Sequence, residues 1–325
     1  MTRHLFWIGT ALALVALVVA AVGFGAVPIP LGSVVDGLAG HGDPAAVAII
    51  RELRLPRVAL ALLVGAGLGM AGAALQGSLR NPLAEPYLLG VSGGAAVGAV
   101  IATTAGLSGA ATLPLAAFAG AALATGAALL VARAAGGHAD NRVLLMAGVM
   151  IGAFANAAIM VALSGAPAES VRGALWWMMG SVADASWPSV AWLGAYTLAA
   201  GIALLALARE IDVLALGAEP ASGLGLDAAR AGRRIFLLSS LLAAATVASA
   251  GLVGFVGLVV PHVVRGAGVR RHRPLIAGCA LAGATLVVGA DLAARVLRPP
   301  GELPLGAVTA VIGVPFFLVQ LRRLS

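Results

Sequence analysis

The sequence predicts an all-α membrane protein that crosses the bilayer about ten times, and three observations lead to this fold class. Of its 325 residues, 61% are hydrophobic and 10% are charged, whereas soluble domains average about 25% charged residues. Apolar runs near the ~20 residues that cross the hydrocarbon as a helix recur from end to end. No segment alternates apolar and polar residues over about ten positions, as membrane strands do.

The ten predicted spans are separated by short polar segments. They lie near residues 5–25, 58–78, 88–106, 112–133, 143–163, 189–208, 235–253, 254–268, 274–296 and 304–321. The first follows Arg3 and His4 as a signal peptide would. It exceeds the 7 to 15 apolar residues typical of such a peptide, so we interpret it as a membrane helix. The eighth is short for a full crossing.

The distribution of arginine predicts the orientation. All twenty basic residues are arginine, and a chain without lysine has no Walker A loop to bind nucleotide phosphates. With a cytoplasmic N-terminus, fourteen arginines lie inside and six outside, as the positive-inside bias favours. The six external ones are Arg51, Arg54, Arg57, Arg172, Arg295 and Arg298. Topology therefore explains most of the net charge of +7 without a nucleic-acid partner.

An internal repeat is suggested by two ungapped stretches. Residues 71–82, AGAALQGSLRNP, align with residues 250–261, AGLVGFVGLVVP, at an offset of 179. Five helices per half would relate halves of about 1–170 and 171–325 by inverted topology within one membrane domain, 1–325. The identity is thin, and the alternative is chance in a chain rich in Ala and Gly.

Several polar or reactive residues lie within or beside the predicted spans and are functional candidates. Asp291 and Arg295 stand four positions apart on one predicted helix, which favours an ion pair over a proton relay. His262 follows Pro261 and is interpreted as a polar group that satisfies a broken helix, with a path or dimer contact as the alternative. Cys279 is predicted to be a small core residue. No catalytic constellation or metal-ligand spacing is recognisable, so the sequence predicts no enzyme, cofactor or metal site.

Long motifs carry a resemblance to a known family. They include RLPR at 54–57, GAALQGSLRNPLAEPYLLGVSGGAA at 72–96, WWMMGS at 176–181, GFVGLVVPHVVR at 254–265 and ELPLGAVTAVIGVPFF at 302–317. On these motifs the chain resembles the FecCD family of ABC importer permeases, which carry iron-siderophore, haem and vitamin B12 across the bacterial inner membrane.

The resemblance implies an assembly in the bacterial inner membrane, with both termini cytoplasmic. A second copy of the chain, two cytoplasmic ATP-binding subunits and an external substrate-binding protein are its expected partners. The binding protein's acidic side chains are expected to dock on Arg54, Arg57 and Arg295. The charge pattern alone leaves docking of an acidic partner and snorkelling to lipid headgroups both open.

The resemblance also implies contacts on the cytoplasmic side and along the path. The segment 209–234 is expected to couple to the ATPases through Leu214, Leu216, Gly217, Glu219, Leu224 and Gly225, with Pro220 breaking its middle. Asn141 and Arg142 are expected at a gate. Gly90, Ser92, Gly93 and Gly94 are expected to line the path.

Two other functional classes were considered. An ion-coupled secondary transporter needs acids or histidines on its path, and Asp291 alone would provide only one such group. A membrane-embedded enzyme needs the missing catalytic constellation. For the substrate, the GCALAGA run at 278–284 and the ELP that follows favour a vitamin B12 permease over a haem permease, with a siderophore equally open.

Overall fold

The chain folds into a bundle of α-helices, and the computed structural model describes residues 3–25, 29–107, 111–135, 141–299 and 301–322. The helices are α1 (Arg3–Gly23), α2 (Leu31–Ala39), α3 (Pro44–Ala48), α4 (Leu55–Ser78), α5 (Val91–Thr104), α6 (Thr112–Ala134), α7 (Asn141–Ser164), α8 (Ala168–Met178), α9 (Trp187–Ala206), α10 (Ala208–Leu214), α11 (Ala218–Gly223), α12 (Ala228–Ala250), α13 (Val256–Gly266), α14 (His272–Val296) and α15 (Leu305–Arg322). A π-helical turn, Ile49–Arg54, and a 3₁₀ turn, Pro86–Leu89, complete the described helical structure. Within these residues there is no strand, which confirms the all-α fold class.

The membrane crossings agree with the prediction in kind. Seven helical stretches of the described residues are long and apolar enough to cross a bilayer: α1, Pro44–Ser78, α6, Val143–Ser164, α9, α12 and α14. The other three predicted spans correspond to shorter apolar helices, α5, α13 and Leu305–Val319 of α15. At 1.5 Å per residue, the 11 residues of α13 cover about half of a ~30 Å hydrocarbon core. Ten full crossings therefore stay a prediction.

The second crossing begins earlier than the sequence suggested. Helical structure runs continuously from Pro44 to Ser78, and the arginine-rich turn Ile49–Arg54 widens to π-helix. Leu55 closes this turn by donating its N–H to the carbonyl of Ile50. Pro56 follows, and since proline lacks an N–H, a regular bond could not form there. The arginines thus lie on a continuous helix and do not precede it.

Helix α4 is the centre of the bundle because its glycines allow backbone contact. A Cβ built on Gly65 would lie 2.1 Å from the carbonyl oxygen of Gly283, and one on Gly69 would lie 2.2 Å from that of Cys279. Both partners belong to α14, so α4 and α14 pack backbone to backbone along a small-residue seam, as membrane helices commonly do. Cys279 is fully buried there, as a core residue.

Two related halves stay a prediction, and the structure does not follow the predicted register. Helix α4 packs on α13 and α14, while α12 packs reciprocally on α5 and α6. Helices α5 and α13 both begin after a residue with positive φ, Gly90 at 81° and Phe255 at 68°. The alignment at offset 179 is wrong, because residues 72–76 are helical whereas the aligned residues 251–255 are not.

Candidate functional sites

The predicted docking arginines come together at one end of the bundle, where they close helix α1. Arg54 donates from Nη1 to the carbonyls of Val22 and Gly23 at 2.6 and 2.7 Å. Arg295 donates from Nη1 to the carbonyls of Ala21 and Phe24 at 3.2 and 3.4 Å. The last carbonyls of a helix lack internal partners and carry partial negative charge. Both arginines are only 6% exposed, so each has a structural contact that sequence analysis missed.

The third arginine, Arg57, holds two carboxylates. Its Nε and Nη2 lie 3.0 and 2.9 Å from Oδ1 of Asp291. Its Nη1 and Nη2 each lie 2.8 Å from a carboxylate oxygen of Glu302. Asp291 also pairs with Arg295 at 3.2 Å, which confirms the predicted ion pair. Asp291 is buried between two guanidinium groups, so the geometry supports a structural pair and not a proton relay.

Glu302 is the most accessible carboxylate of this arginine cluster, which we define as Arg54, Arg57, Arg295, Asp291 and Glu302. Its side chain is 37% exposed, against 3% for Asp291. Hydrogen bonds from Arg57 hold the pKa of Glu302 below its ordinary value, so the residue stays ionised at neutral pH. The cluster carries three positive and two negative charges, a net excess of one.

The other arginines predicted to be external are all exposed but differ in their contacts. Arg51 donates from Nε and Nη2 to the carbonyls of Gly37 and Leu38 at 3.2 and 2.6 Å, and so closes α2. Arg172 and Arg298 are exposed. Arg298 follows Arg295 by three positions, so it offers a solvent-facing cation near the buried cluster that the resemblance did not single out.

At the opposite end, the segment 209–234 contains two short helices, α10 and α11, ahead of α12. Leu216 and Leu224 are 63% and 67% exposed, whereas Leu214 is 5% exposed. The prediction that Leu214 contacts an ATPase is therefore wrong, because this side chain packs in the core. Gly217 and Gly225 have φ of +122° and +80°, a backbone that favours glycine.

Two further residues of this segment complete its description. Glu219 is exposed in the first turn of α11, where a carboxylate is favoured by the helix dipole. Pro220 does not break the segment: the N–H of Ala221 reaches the carbonyl of Gly217 at 3.0 Å, and proline fits a first helical turn.

Helix α10 is fixed to the membrane helices by a histidine and an aspartate. Oδ1 of Asp212 accepts the backbone N–H of His272 at 3.0 Å and lies 2.7 Å from the imidazole Nδ1. His272 is the first residue of α14. Ile211, fully buried, packs beside Gly77 of α4, where an added Cβ would lie 2.6 Å from its Cγ2 and 2.2 Å from Nε2 of His272.

Polar residues of α4 and of the segment that follows it bond to the first turn of α13 and to the irregular backbone before it. Nε2 of Gln76 lies 3.1 Å from the carbonyl of Gly257, and its Oε1 accepts from Arg265 at 2.6 Å. Glu85 accepts the N–H of Phe255 at 2.7 Å, and the N–H of Val253 donates to the hydroxyl of Tyr87. Irregular backbone within a membrane protein requires such partners.

The predicted path and gate residues are only partly accounted for. Gly94 is wrong as a path-lining residue, because an added Cβ would lie 2.4 Å from the carbonyl of Gly120 on α6. Gly90 and Gly93 face α7, and Ser92 donates to the carbonyl of Tyr87 at 2.9 Å, so these three stay predictions. The side chains of Asn141 and Arg142 lie outside the described residues, and the gate also stays a prediction.

Two of the remaining candidates have clear surroundings. Nδ1 of His262 lies 2.8 Å from the carbonyl of Leu258, which agrees with a polar group serving a broken helix.

At the predicted external end, Trp176, Trp177 and Trp192 line a cavity of about 870 Å³. Among the described residues, no group of three or more His, Cys, Asp or Glu side chains could hold a metal ion.

Comparison with known proteins identifies the family. Residues 13–323 match the FecCD transport family. The chain is 41% identical over 276 residues to the cobalamin import system permease protein BtuC of Halobacterium salinarum, covering 84% of this chain and 73% of that one. It is 39% identical over 277 residues to the hemin transport system permease protein HmuU of Yersinia pestis, covering 84% and 82%.

A solved structure agrees with the fold. An inward-facing conformation of a metal-chelate type ABC transporter superposes with a TM-score of 0.87 at 29% identity, over 97% of this chain and 98% of that one. The chain therefore belongs to the FecCD transport family. It is a multi-pass membrane permease of an ABC importer.

Proposed function

We propose that the chain works as a homodimer that imports a cobalamin or an iron chelate, powered by two separate ATP-binding subunits and loaded by an external binding protein. The family match over residues 13–323 carries this proposal. Relatives named as cobalamin, hemin and Fe(3+)-citrate permeases define the candidate cargoes. These relatives define the classes of cargo and not the particular one that this chain carries.

The cytoplasmic surface supports contact with the ATPases. Two exposed leucines, Leu216 and Leu224, flank the short helix α11. Apolar side chains on a short helical element suit insertion into a groove of a partner. We expect Leu216→Asp to abolish co-purification with the ATP-binding subunits, while Leu214→Ala lowers the stability of the chain itself because it leaves a core cavity.

The arginine cluster supports docking of an acidic binding protein through exchange of carboxylates. Glu302 is the partly exposed partner of Arg57, whereas Asp291 is buried, so we expect an incoming carboxylate to replace Glu302 at the guanidinium. Arg298 and the net positive charge would steer the encounter. Arg54 and Arg295 would contribute indirectly. Both hold the end of α1, and Arg295 also holds Asp291.

The dimer interface and path are proposed along α7 and α15. On α7, Met146, Met150 and Phe154 form an exposed stripe four residues apart. Unbranched methionine side chains adapt to a moving partner surface. Helix α15 also has exposed apolar side chains, such as Val311.

The proposed orientation can be tested by thiol labelling of single introduced cysteines. Cys279 is the only cysteine, and it is fully buried, so background labelling is low. In intact cells, Arg298→Cys is expected to react with a membrane-impermeant thiol reagent, and Leu216→Cys only after permeabilisation. The opposite pattern would place the C-terminus outside.

The cargo is tested by uptake. The permease is reconstituted in proteoliposomes with ATP-binding subunits inside and binding protein outside, and offered a labelled cobalamin, hemin and a ferric siderophore separately. We expect ATP-dependent uptake of one class. Uptake of none, with an intact complex, would contradict the proposed cargo classes. The ion-coupled alternative has no supporting observation, because Asp291 is neutralised by two arginines.

A further inference from the structure

Helix α14 is fixed by polar side-chain contacts at both of its ends. At the predicted external end, Asp291 and Arg295 belong to the arginine cluster. At the predicted cytoplasmic end, the first residue, His272, bonds to Asp212 through both its backbone N–H and its ring. Asp212 lies on α10, the first short helix of the proposed coupling segment.

The contact at the predicted cytoplasmic end is closely packed. Asp212 serves α14 as a capping acceptor although it comes from 60 residues earlier in the chain. Beneath it, Gly77 of α4 faces both His272 and Ile211 at distances that exclude a Cβ. Helices α4, α10 and α14 therefore meet at one point, through one carboxylate, one imidazole and one glycine.

Between the two ends, α4 and α14 form a stiff pair. The Gly65–Gly283 and Gly69–Cys279 contacts bring the two backbones together without side chains that could change rotamer. Close-packed interiors transmit displacement because they cannot deform continuously. Arg57 adds a second link at the external end, since it lies on α4 and binds Asp291 of α14.

We infer that Asp212 and His272 form the joint through which the coupling segment and the α4–α14 pair move together. In this arrangement, a displacement of α10 by an ATPase shifts α14, and the arginine cluster at its far end shifts with it. Asp212 and His272 are positioning residues, which contact neither cargo nor nucleotide. The inference rests on the proposed function, because it assumes that ATPases act on α10.

The test compares variants in the reconstituted complex of permease, ATP-binding subunits and binding protein. Asp212→Ala removes the acceptor, whereas Asp212→Asn keeps an oxygen that can accept the N–H of His272. For each, ATP hydrolysis is measured with and without loaded binding protein, together with co-purification of the ATPases. Asp43→Ala is the matched control, because Asp43 also caps a helix, α3, at the opposite end of the bundle.

We expect Asp212→Ala to keep the complex and its basal hydrolysis but to lower the stimulated-to-basal ratio by about 5-fold or more, the lower bound typical of coupled sites. Asp212→Asn should recover most of the ratio, and Asp43→Ala should leave it unchanged. If Asp212→Ala cannot be purified, the same measurement is made on His272→Ala, which keeps the backbone bond to Asp212. We then expect the stimulated-to-basal ratio of His272→Ala to fall.

Two results would overturn the inference. One is a wild-type ratio in Asp212→Ala or, where that variant does not purify, in His272→Ala. The other is an equal fall of basal and stimulated hydrolysis, which indicates a structural role alone. Both differ from failure of the proposed function, in which the wild-type complex itself shows no stimulation by the binding protein.

Discussion

Helices α4 and α7 each have 24 residues, yet they occupy opposite environments. Within their apolar stretches, 78% of residues are buried for the helix that contains α4 and 22% for α7. The contacts that bury α4 depend on small residues such as Gly65, Gly69 and Gly72, whereas α7 exposes methionines and Phe154. In a bilayer, small residues permit close helix contact and large apolar ones are compatible with lipid or a partner. Burial therefore distinguishes α4 and the helices packed on it, which we call the internal frame, from the surfaces available to other chains.

The largest effect is expected where a side chain is added to the frame. A Cβ on Gly72 of α4 would lie 2.0 Å from the carbonyl of Gly257, and a backbone carbonyl cannot rotate away. We expect Gly72→Leu to cost more than the ~1–3 kcal/mol of ordinary overpacking and to prevent accumulation of folded permease. Gly126→Leu on α6, where nothing lies within 4 Å of the added Cβ, is the control. Similar yields and melting temperatures of the two variants in detergent would contradict backbone packing at Gly72.

The next effect concerns the charges that join α4 to α14. Asp291→Ala would leave Arg57 and Arg295 partly or fully buried without their shared carboxylate, and removal of one member of a buried pair costs about 3–5 kcal/mol. A denaturation curve in detergent measures this loss. Arg230→Ala removes the cation from an exposed pair with Asp227, leaves the backbone N–H that Asp227 caps, and should change stability little. Equal effects would mean that the cluster does not hold the frame.

A smaller effect on the chain, but a larger one on assembly, is expected on α7. Phe154→Ala should change the stability of the isolated chain by no more than about 0.5 kcal/mol, as exposed substitutions usually do, yet weaken dimerisation. Leu123→Ala on α6 is matched in exposure, 75% against 74%, and should not affect the dimer. Monomer–dimer populations measured in detergent distinguish the two. If both variants dissociate equally, α7 is not the interface.

The smallest effect is expected at the rim of the arginine cluster. Because the pKa of Glu302 is lowered in the folded chain, its pair with Arg57 stabilises the fold above the ordinary pKa of a glutamate, about 4.3, and this contribution is lost as pH falls through the lowered value. Glu302→Gln should remove this part of the pH dependence, with a cost at neutral pH of under about 1 kcal/mol. Melting temperatures from pH 7 down to about pH 2, which span the ordinary and the lowered pKa of Glu302, provide the comparison. An unchanged pH profile in Glu302→Gln would contradict the assignment.

The sequence predicted the class of fold and the positions of the apolar helices, because span length and hydropathy are local properties. It misplaced the start of the second crossing, since Arg51, Glu52 and Arg54 interrupt the apolar pattern that a continuous helix nevertheless follows. It also misplaced the repeat. The feature that the two halves share is a positive φ at Gly90 and Phe255, and a phenylalanine gives no sign of it.

The sites were predictable only where partners are close in sequence. Asp291 and Arg295 stand four residues apart and were recognised as a pair. Glu302 and Arg57 are separated by 245 residues and His272 and Asp212 by 60, and no spacing rule connects them. Leu214, Leu216 and Leu224 could not be separated into core and surface residues, because α10 and α11 are too short to reveal a helical period.

The most direct test of the permease assignment is the energy source for uptake. Proteoliposomes that contain the permease and its ATP-binding subunits are supplied with loaded binding protein, with either ATP inside or an ion gradient alone. We predict uptake with ATP, no uptake with the gradient, and loss of uptake in Leu216→Asp. Uptake driven by the gradient without ATP, or by Leu216→Asp at the wild-type rate, would contradict a permease powered through residues 209–234.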